Sequence, residues 1–569
     1  MKPERTVIAV AALMLLCSTA MAQRLPDGHA RMLPGRVLAR VTIHDTARDS
    51  ERSHSPARQR HAELWSPFVE HLKAKRPQIS ERLRREVGLT LDEFRELGIG
   101  ATTIASVRVP DRPVAIVAMI DFRSHFLMHR IGMRLTQALM VSGFTYRQSN
   151  YGRVCVYEFR REEKFRELAI CVQGSTAYLT TDPGVLREML CHCNTRSAVS
   201  HPRGYAEITA TRQEQTHDPQ LTWYVDPVGL LHEMILDNEP TESDFRSFLL
   251  NLIPQTGLDS LVAIGGTVEF RGQDYAAVSR TQVVLKEPRE GLLGLVSLKT
   301  DNLEPPAWIT SNATSCQSFF WDLQAFYDGA NKLLSLIEGN NALDLYVKRL
   351  GTVKNGFNLK TDLLDQLTGR IRVVTADQDG NSHSVVAIQV RNPAAVDSVL
   401  QQADNGKPLF GTIPVSVSIV DGRTVYTQPV GETKVCLTLI DDMLVVAGSE
   451  QAIAASSGTA KTPLKESPGY QRVAAHLPMN CLMQSYDAAN DSLRIPYMFL
   501  RSQVKPEDAF GIDLSLLPSF DDLRRTLGPS AAYAIENESG ILVSQFSLYG
   551  QHTDDVAPDL AADATADRR

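Results

Sequence analysis

The side chains best able to do chemistry in this sequence are scattered rather than grouped. Cys191-His192-Cys193 sets three metal-binding types side by side. Adjacent residues point in different directions, so the three cannot all reach one tetrahedral ion, and structural zinc sites separate their ligands by two or more residues. No second ligand pair follows at finger-like spacing. His125 and His129 are four apart and can share one face of a helix. They lack the glutamate after the first histidine that zinc proteases use as a base, and no third ligand is evident. The expectation is a helix end carrying incidental Cys and His, with the other two histidines half-buried or facing solvent. Nucleophilic catalysis has no better footing: there is no Gly-x-Ser-x-Gly elbow and no Ser-x-x-Lys at a plausible helix start. Gly98-Ile99-Gly100 runs into Ala-Thr-Thr and lacks the third glycine of a dinucleotide loop, so it reads as a helix-to-strand turn. Asn312-Ala313-Thr314 is a glycosylation acceptor only where the source cell has that machinery. Trp223, Trp308 and Trp321 read as core. No catalytic, cofactor-binding or metal residue is assigned, and no cofactor is expected.

The N-terminus is more explicit. Lys2 and Arg5 precede an apolar run from Val7 to Leu16, and small residues end at Ala20-Met21-Ala22. This is the pattern of a cleavable secretory signal peptide over residues 1–22, with cleavage between Ala22 and Gln23. The run is about half the length a spanning helix needs. Cys17 follows Leu16 rather than the small residue a lipid attachment site requires. No later stretch holds eighteen uninterrupted apolar residues, so no transmembrane segment is expected in the mature chain. Export leaves the periplasm, the cell surface and the medium as possible destinations.

The 569 residues, 43% hydrophobic and 22% charged, are ordinary globular values and suggest several domains. A net charge of -7 argues against a nucleic-acid partner. Between Arg24 and Glu86 fourteen Lys or Arg face eight Asp or Glu, which reads as a solvated basic arm and helix. Once the signal is removed, seven cysteines remain, too few for a fold that depends on disulfides. Cys155 and Cys171 lie on two apparent strands joined by Arg161–Arg166 and are a possible disulfide pair, the alternative being two small buried thiols.

The elements that would position any site repeat. Tyr157 follows Gly152-Arg153, and Tyr426 follows Gly422-Arg423, 269 positions on. Cys171 and Cys436 are 265 apart, as are Tyr205 and Tyr470, each of which follows a glycine. Leu261–Ile264 has a counterpart in Ala531–Ala534. One order held at a nearly constant offset indicates two copies of one module. Within each copy, short apolar runs such as Pro113–Ile120 and His383–Val390 read as strands. Phe122–Val141 reads as a helix stopped at Gly143, and Asp182-Pro183 and Asn392-Pro393 read as helix starts. The fold class expected is α+β: two homologous modules, each a mostly antiparallel sheet with packed helices. The divisions are 1–22 signal, 23–60 flexible lead-in, 61–300 and 301–553 the modules, and 554–569 a disordered Ala- and Asp-rich tail.

Leu89–Leu97, Gly422–Tyr426, Leu444–Glu450, Phe520-Asp521-Asp522-Leu523 and Leu527-Gly528-Pro529-Ser530 carry a resemblance to a family of exported bacterial proteins of unassigned activity, built from two such modules. The resemblance spans roughly residues 60–550. It implies a fold and a compartment but no catalytic residue. The functional expectation is therefore a non-catalytic exported protein that binds, or builds, part of the cell envelope, its partner another envelope protein or a small ligand. Two other readings stay open: an exported hydrolase with a site in the inter-module cleft, and a carrier of an apolar ligand.

Overall fold

The computed structural model describes residues 29–44, 56–87 and, with interruptions of one to eighteen residues, 90–550. The expected signal, its Ala22–Gln23 junction and the tail after 553 lie outside the described residues, as does most of Leu89–Leu97.

Among the described residues, twenty strands form one sheet. The first ten are β1 Val37–Ile43, β2 Ile99–Val107, β3 Ala115–Phe122, β4 Thr145–Tyr151, β5 Val154–Arg161, β6 Arg166–Gln173, β7 Thr176–Thr180, β8 Leu221–Val225, β9 Leu261–Phe270 and β10 Ala277–Leu285. The second ten are β11 Ala313–Phe320, β12 Leu367–Gln378, β13 Asn381–Val390, β14 Ser416–Val420, β15 Arg423–Val430, β16 Thr433–Ile440, β17 Met443–Ala447, β18 Met483–Asp487, β19 Leu527–Asn537 and β20 Gly540–Tyr549. Every pairing is antiparallel. The spatial order of the first ten is β4-β5-β6-β7-β3-β2-β1-β8-β9-β10. The second ten follow the same order with ten added to each number. The halves join where β10 pairs β20.

The helices alternate faces. On the inner face, α3 (Pro183–Asn194) and α4 (Tyr205–Gln215) seal the first half, burying Val185, Leu186, Met189, Leu190 and Ile208 against Val117, Met119, Val156 and Tyr178. α10 (Glu450–Ser456) and α11 (Pro468–Ala474) do the same in the second half, with Ile453 and Val473 against Val374, Val385 and Val445. On the outer face, α2 (His125–Val141) sets Leu135 and Leu139 against Phe159 and Ile170. α9 (Pro393–Asp404) sets Val396 and Leu400 against Tyr426 and Leu437. Each fully buried Val or Leu contributes about 1.5–3 kcal/mol. Between them, α1 (Pro56–Val87) follows β1, α5 (Pro227–Asp237) follows β8, α6 (Gly291–Leu295) follows β10, and α7 (Leu323–Glu338) and α8 (Ala342–Gly351) follow β11.

The sequence signals for helix starts act as expected. Asp182 Oδ1 accepts from the N–H groups of Gly184 and Val185, and Asn392 Oδ1 accepts from Ala395 N–H. Gly143, at φ 86°, ends α2 in the left-handed region that a residue with a Cβ avoids.

Three expectations need correction. The lead-in placed over 23–60 contains β1, which pairs with both β2 and β8, so it is an interior strand rather than a flexible arm. Its apolar residues are spaced too briefly between arginines to stand out. Register also shifts two landmark pairings. Cys171 lies opposite Tyr178 and Cys436 opposite Ala447; counted from the turns 173–176 and 440–443, the position matching Cys171 is Thr438. Gly265 and Ala531 occupy matching places, opposite Tyr224 and Tyr486, which puts Leu261 against Leu527 rather than Ala531. Lastly, Cys155 and Cys171 do not bond. Cys171 is opposite Val156, so Cys155, one residue along, points to the other face, and neither is in a disulfide.

Candidate functional site

The inner face is not apolar throughout. Beyond the ends of its helices a row of polar side chains crosses the sheet, each directly opposite the next and therefore on one face. In the first half it runs Thr103, Thr42, Thr222, Thr267, Arg280. It continues through Ser544, Tyr533, Gln484, Ser318 and Arg372 in the second. Thr103, Thr42, Thr222, Thr267, Ser544, Gln484, Ser318 and Arg372 are all buried.

At the first-half end this row meets the segment that precedes β1. His29 Nδ1 is 2.9 Å from Thr103 Oγ1, and His29 Nε2 is 3.1 Å from Asp121 Oδ1. Thr103 Oγ1 is in turn 2.8 Å from Thr42 Oγ1, and Thr176 donates to Asp121 Oδ1 at 2.5 Å. Carboxylate, imidazole and hydroxyl thus stand in the order a hydrolytic triad uses. Thr103, however, is 0% exposed, and its hydroxyl lies between His29 Nδ1 and Thr42 Oγ1 with no path to solvent. The array works as a clamp that holds residues 29–33 against the sheet.

Next to the clamp, Tyr205 at the start of α4 packs edge-on against Tyr224 of β8, ring centroids 6.0 Å apart, and the Arg40 guanidinium lies 4.7 Å from the Tyr205 ring centre. Ala30, Leu33, Val37, Arg40 and the two tyrosines enclose a cavity of about 10 Å³, room for one water-sized species and too small for an apolar ligand. The second half repeats the tyrosine pair: Tyr470 on α11 meets Tyr486 on β18 at 5.5 Å. Its arginine comes from another strand. Arg372 of β12 donates from Nη1 to Leu303 O at 3.0 Å and to Ser318 Oγ at 2.8 Å. Burial holds Arg372 below its ordinary range, with Cys316 opposing that shift. Burial pushes the Tyr470 hydroxyl and the Cys316 thiol upward, and Tyr486 to about 12.

The residues singled out by type are not brought together. Cys191 is exposed in the last turn of α3 with Sγ 2.6 Å from Tyr151 Oη, while the Cys193 side chain lies outside the described residues. His129 is exposed, and the side chain of His125 is likewise not described. Among the described residues no group of three or more His, Cys, Asp or Glu is placed to hold a metal. Trp308 is buried, whereas Trp223 and Trp321 are half-buried; Trp321 donates to Leu295 O. Asn312 is exposed. At the junction where a cleft was considered, β10 and β20 are hydrogen-bonded neighbours. What the residue-type search missed were His29, Arg40, Thr103 and Asp121, which are separated in sequence and carry no motif.

No protein-family model matches the chain, and no curated protein matches it. Among solved structures, crystal forms III and I of TP0453 are 11% and 7% identical to it. They cover 48% and 49% of this chain, and 84% and 88% of their own, each at a TM-score of 0.23, which is too low to carry an argument. The fold is a mixed α and β chain with a large antiparallel sheet. No helix among the described residues is long and apolar enough to cross a membrane.

Proposed function

We propose that this chain is a non-catalytic exported protein made of two copies of one α+β module, acting as a binding or structural component of the cell envelope. The observation that supports it most is the repeated strand order, which leaves the matching strands β4 and β14 at the two ends of the sheet. Among the described residues β4 pairs only with β5, and β14 only with β15. β14 also presents Val417 and Ile419, the latter 69% exposed. An open strand of this kind recruits a partner by extending the sheet, with backbone hydrogen bonds giving affinity and alternate side chains specificity.

The test is cross-linking in the native cell envelope followed by purification and intact-mass measurement. The reading expects a chain beginning at Gln23 and a discrete cross-linked partner, with capture lowered about tenfold by Ile419→Lys or Ser418→Pro. A turnover activity abolished by changing one polar side chain would sink it.

A further inference from the structure

We propose that the cavity beside Arg40 is a binding site for a single inorganic anion of halide size. Arg40 is only 6% exposed, and its Nε is sealed from solvent with no hydrogen-bond partner. The Tyr205 ring centre lies 4.7 Å from its guanidinium, Tyr224 is its cross-strand neighbour, and no acidic side chain lines the cavity. A guanidinium withdrawn from water without a counter-charge is strongly disfavoured, so such a group is kept where something anionic meets it. A second positive element lies on the same wall. α4 spans eleven residues and begins at Tyr205, with Ile208 N–H closing its first turn onto Gly204 O, so the positive end of its dipole lies at the residue whose side chain lines the cavity. The acidic residue of that turn, Glu207, is not among the lining residues.

Size and lining define the ligand. A volume of about 10 Å³ admits one water-sized species, and the walls are otherwise Ala30, Leu33, Val37 and the two tyrosines. Chloride fits that description; a phosphate or carboxylate ligand does not. The second half supplies an internal contrast. Arg372, beneath the matching tyrosine pair, also has a buried Nε without a hydrogen-bond partner, but its Nη1 donates to Leu303 O and Ser318 Oγ, two acceptors within the protein of a kind that Arg40 lacks among the described residues. Occupancy at Arg40 and none at Arg372 follows.

The experiment uses the full mature chain and bromide as the probe. Crystals soaked in sodium bromide are measured at the bromine absorption edge, and thermal unfolding is followed in sodium bromide, chloride and gluconate at one ionic strength. The expected result is an anomalous peak in contact with the Arg40 guanidinium and none at Arg372. Halides should also raise the unfolding temperature by about 2–4 °C over gluconate, a rise lost in Arg40→Met. Only water or a side chain of this chain at the site, or a halide response unchanged in Arg40→Met, overturns the proposal. Since the bromide map is taken on the unaltered protein, a variant that fails to fold does not remove the test.

Discussion

His29, Thr103 and Asp121 show how side-chain identity can mislead when it is separated from exposure. Their order is that of a catalytic relay, but a hydroxyl without access to solvent cannot attack a substrate. What remains is the energetics of buried polar groups, which is asymmetric: removing one partner leaves the other unsatisfied. Asp121 accepts a hydrogen bond from Thr176 Oγ1 and lies 3.1 Å from His29 Nε2, close enough for charge but out of hydrogen-bond alignment, so Asp121→Asn should lower stability by about 1–3 kcal/mol in urea unfolding. A midpoint within error of the parent would mean that the clamp contributes nothing.

At the scale of elements, most starts and stops follow from local capping, and α7 allows a quantitative check. Its N-cap Asp322 accepts from Ala325 N–H at 3.2 Å and sits 2.8 Å from Lys299 Nζ. Burial alone would raise this carboxyl, but Lys299 and the helix N–H groups outweigh it and hold the group below the usual carboxylate range. A folded-state value below the unfolded one means the stabilisation is present at neutral pH and is lost as pH falls from about 4 through the folded value. Asp322→Asn keeps the capping oxygen and removes the charge. It should therefore cost about 0.5–1 kcal/mol at pH 7, with the difference shrinking as pH falls below about 4 and closing once the folded-state carboxyl is protonated, as followed by denaturant titrations at successive pH values. A constant difference over the whole range would assign the effect to packing.

For the whole molecule, the telling feature is the register of the junction. β10 and β20 pair so that Arg280 faces Ser544, with Val278 opposite Phe546 and Gln282 opposite Leu542. Counting from the tyrosine-bearing strands, 280 and 544 are matching positions in the two halves, so the junction has the geometry of a symmetric dimer interface built within one chain. The amides of Gln282 and Asn537 fasten it reciprocally, at 3.1 and 2.9 Å. The two halves differ at the centre, where one carries a cation and the other a hydroxyl. Expressed alone, residues 301–550 should self-associate through β20, with Ser544 against Ser544. Residues 29–287 should resist pairing through β10, because Arg280 would meet Arg280, until Arg280→Ser is introduced. Light scattering after size-exclusion chromatography reads both states. A first half that dimerises as readily as the second would contradict the placement of the axis.

The sequence alone carried the α+β class, the alternation of strands with capped helices, and the recurrence of landmarks such as Tyr205 and Tyr470. Those properties depend on local spacing and on turn and cap residues, whose effects act over a few positions. It did not reveal that β1 is an interior strand. That short run among arginines becomes a strand only when β2 and β8 close on it from either side. Nor did it show that Cys155 and Cys171 face opposite ways, because a shift of one position in pairing reverses the face of every side chain. The grouping of His29, Arg40, Thr103 and Asp121 was likewise decided by tertiary structure alone. Each comes from a different segment, and no periodicity along the chain records which residues a sheet will set opposite one another.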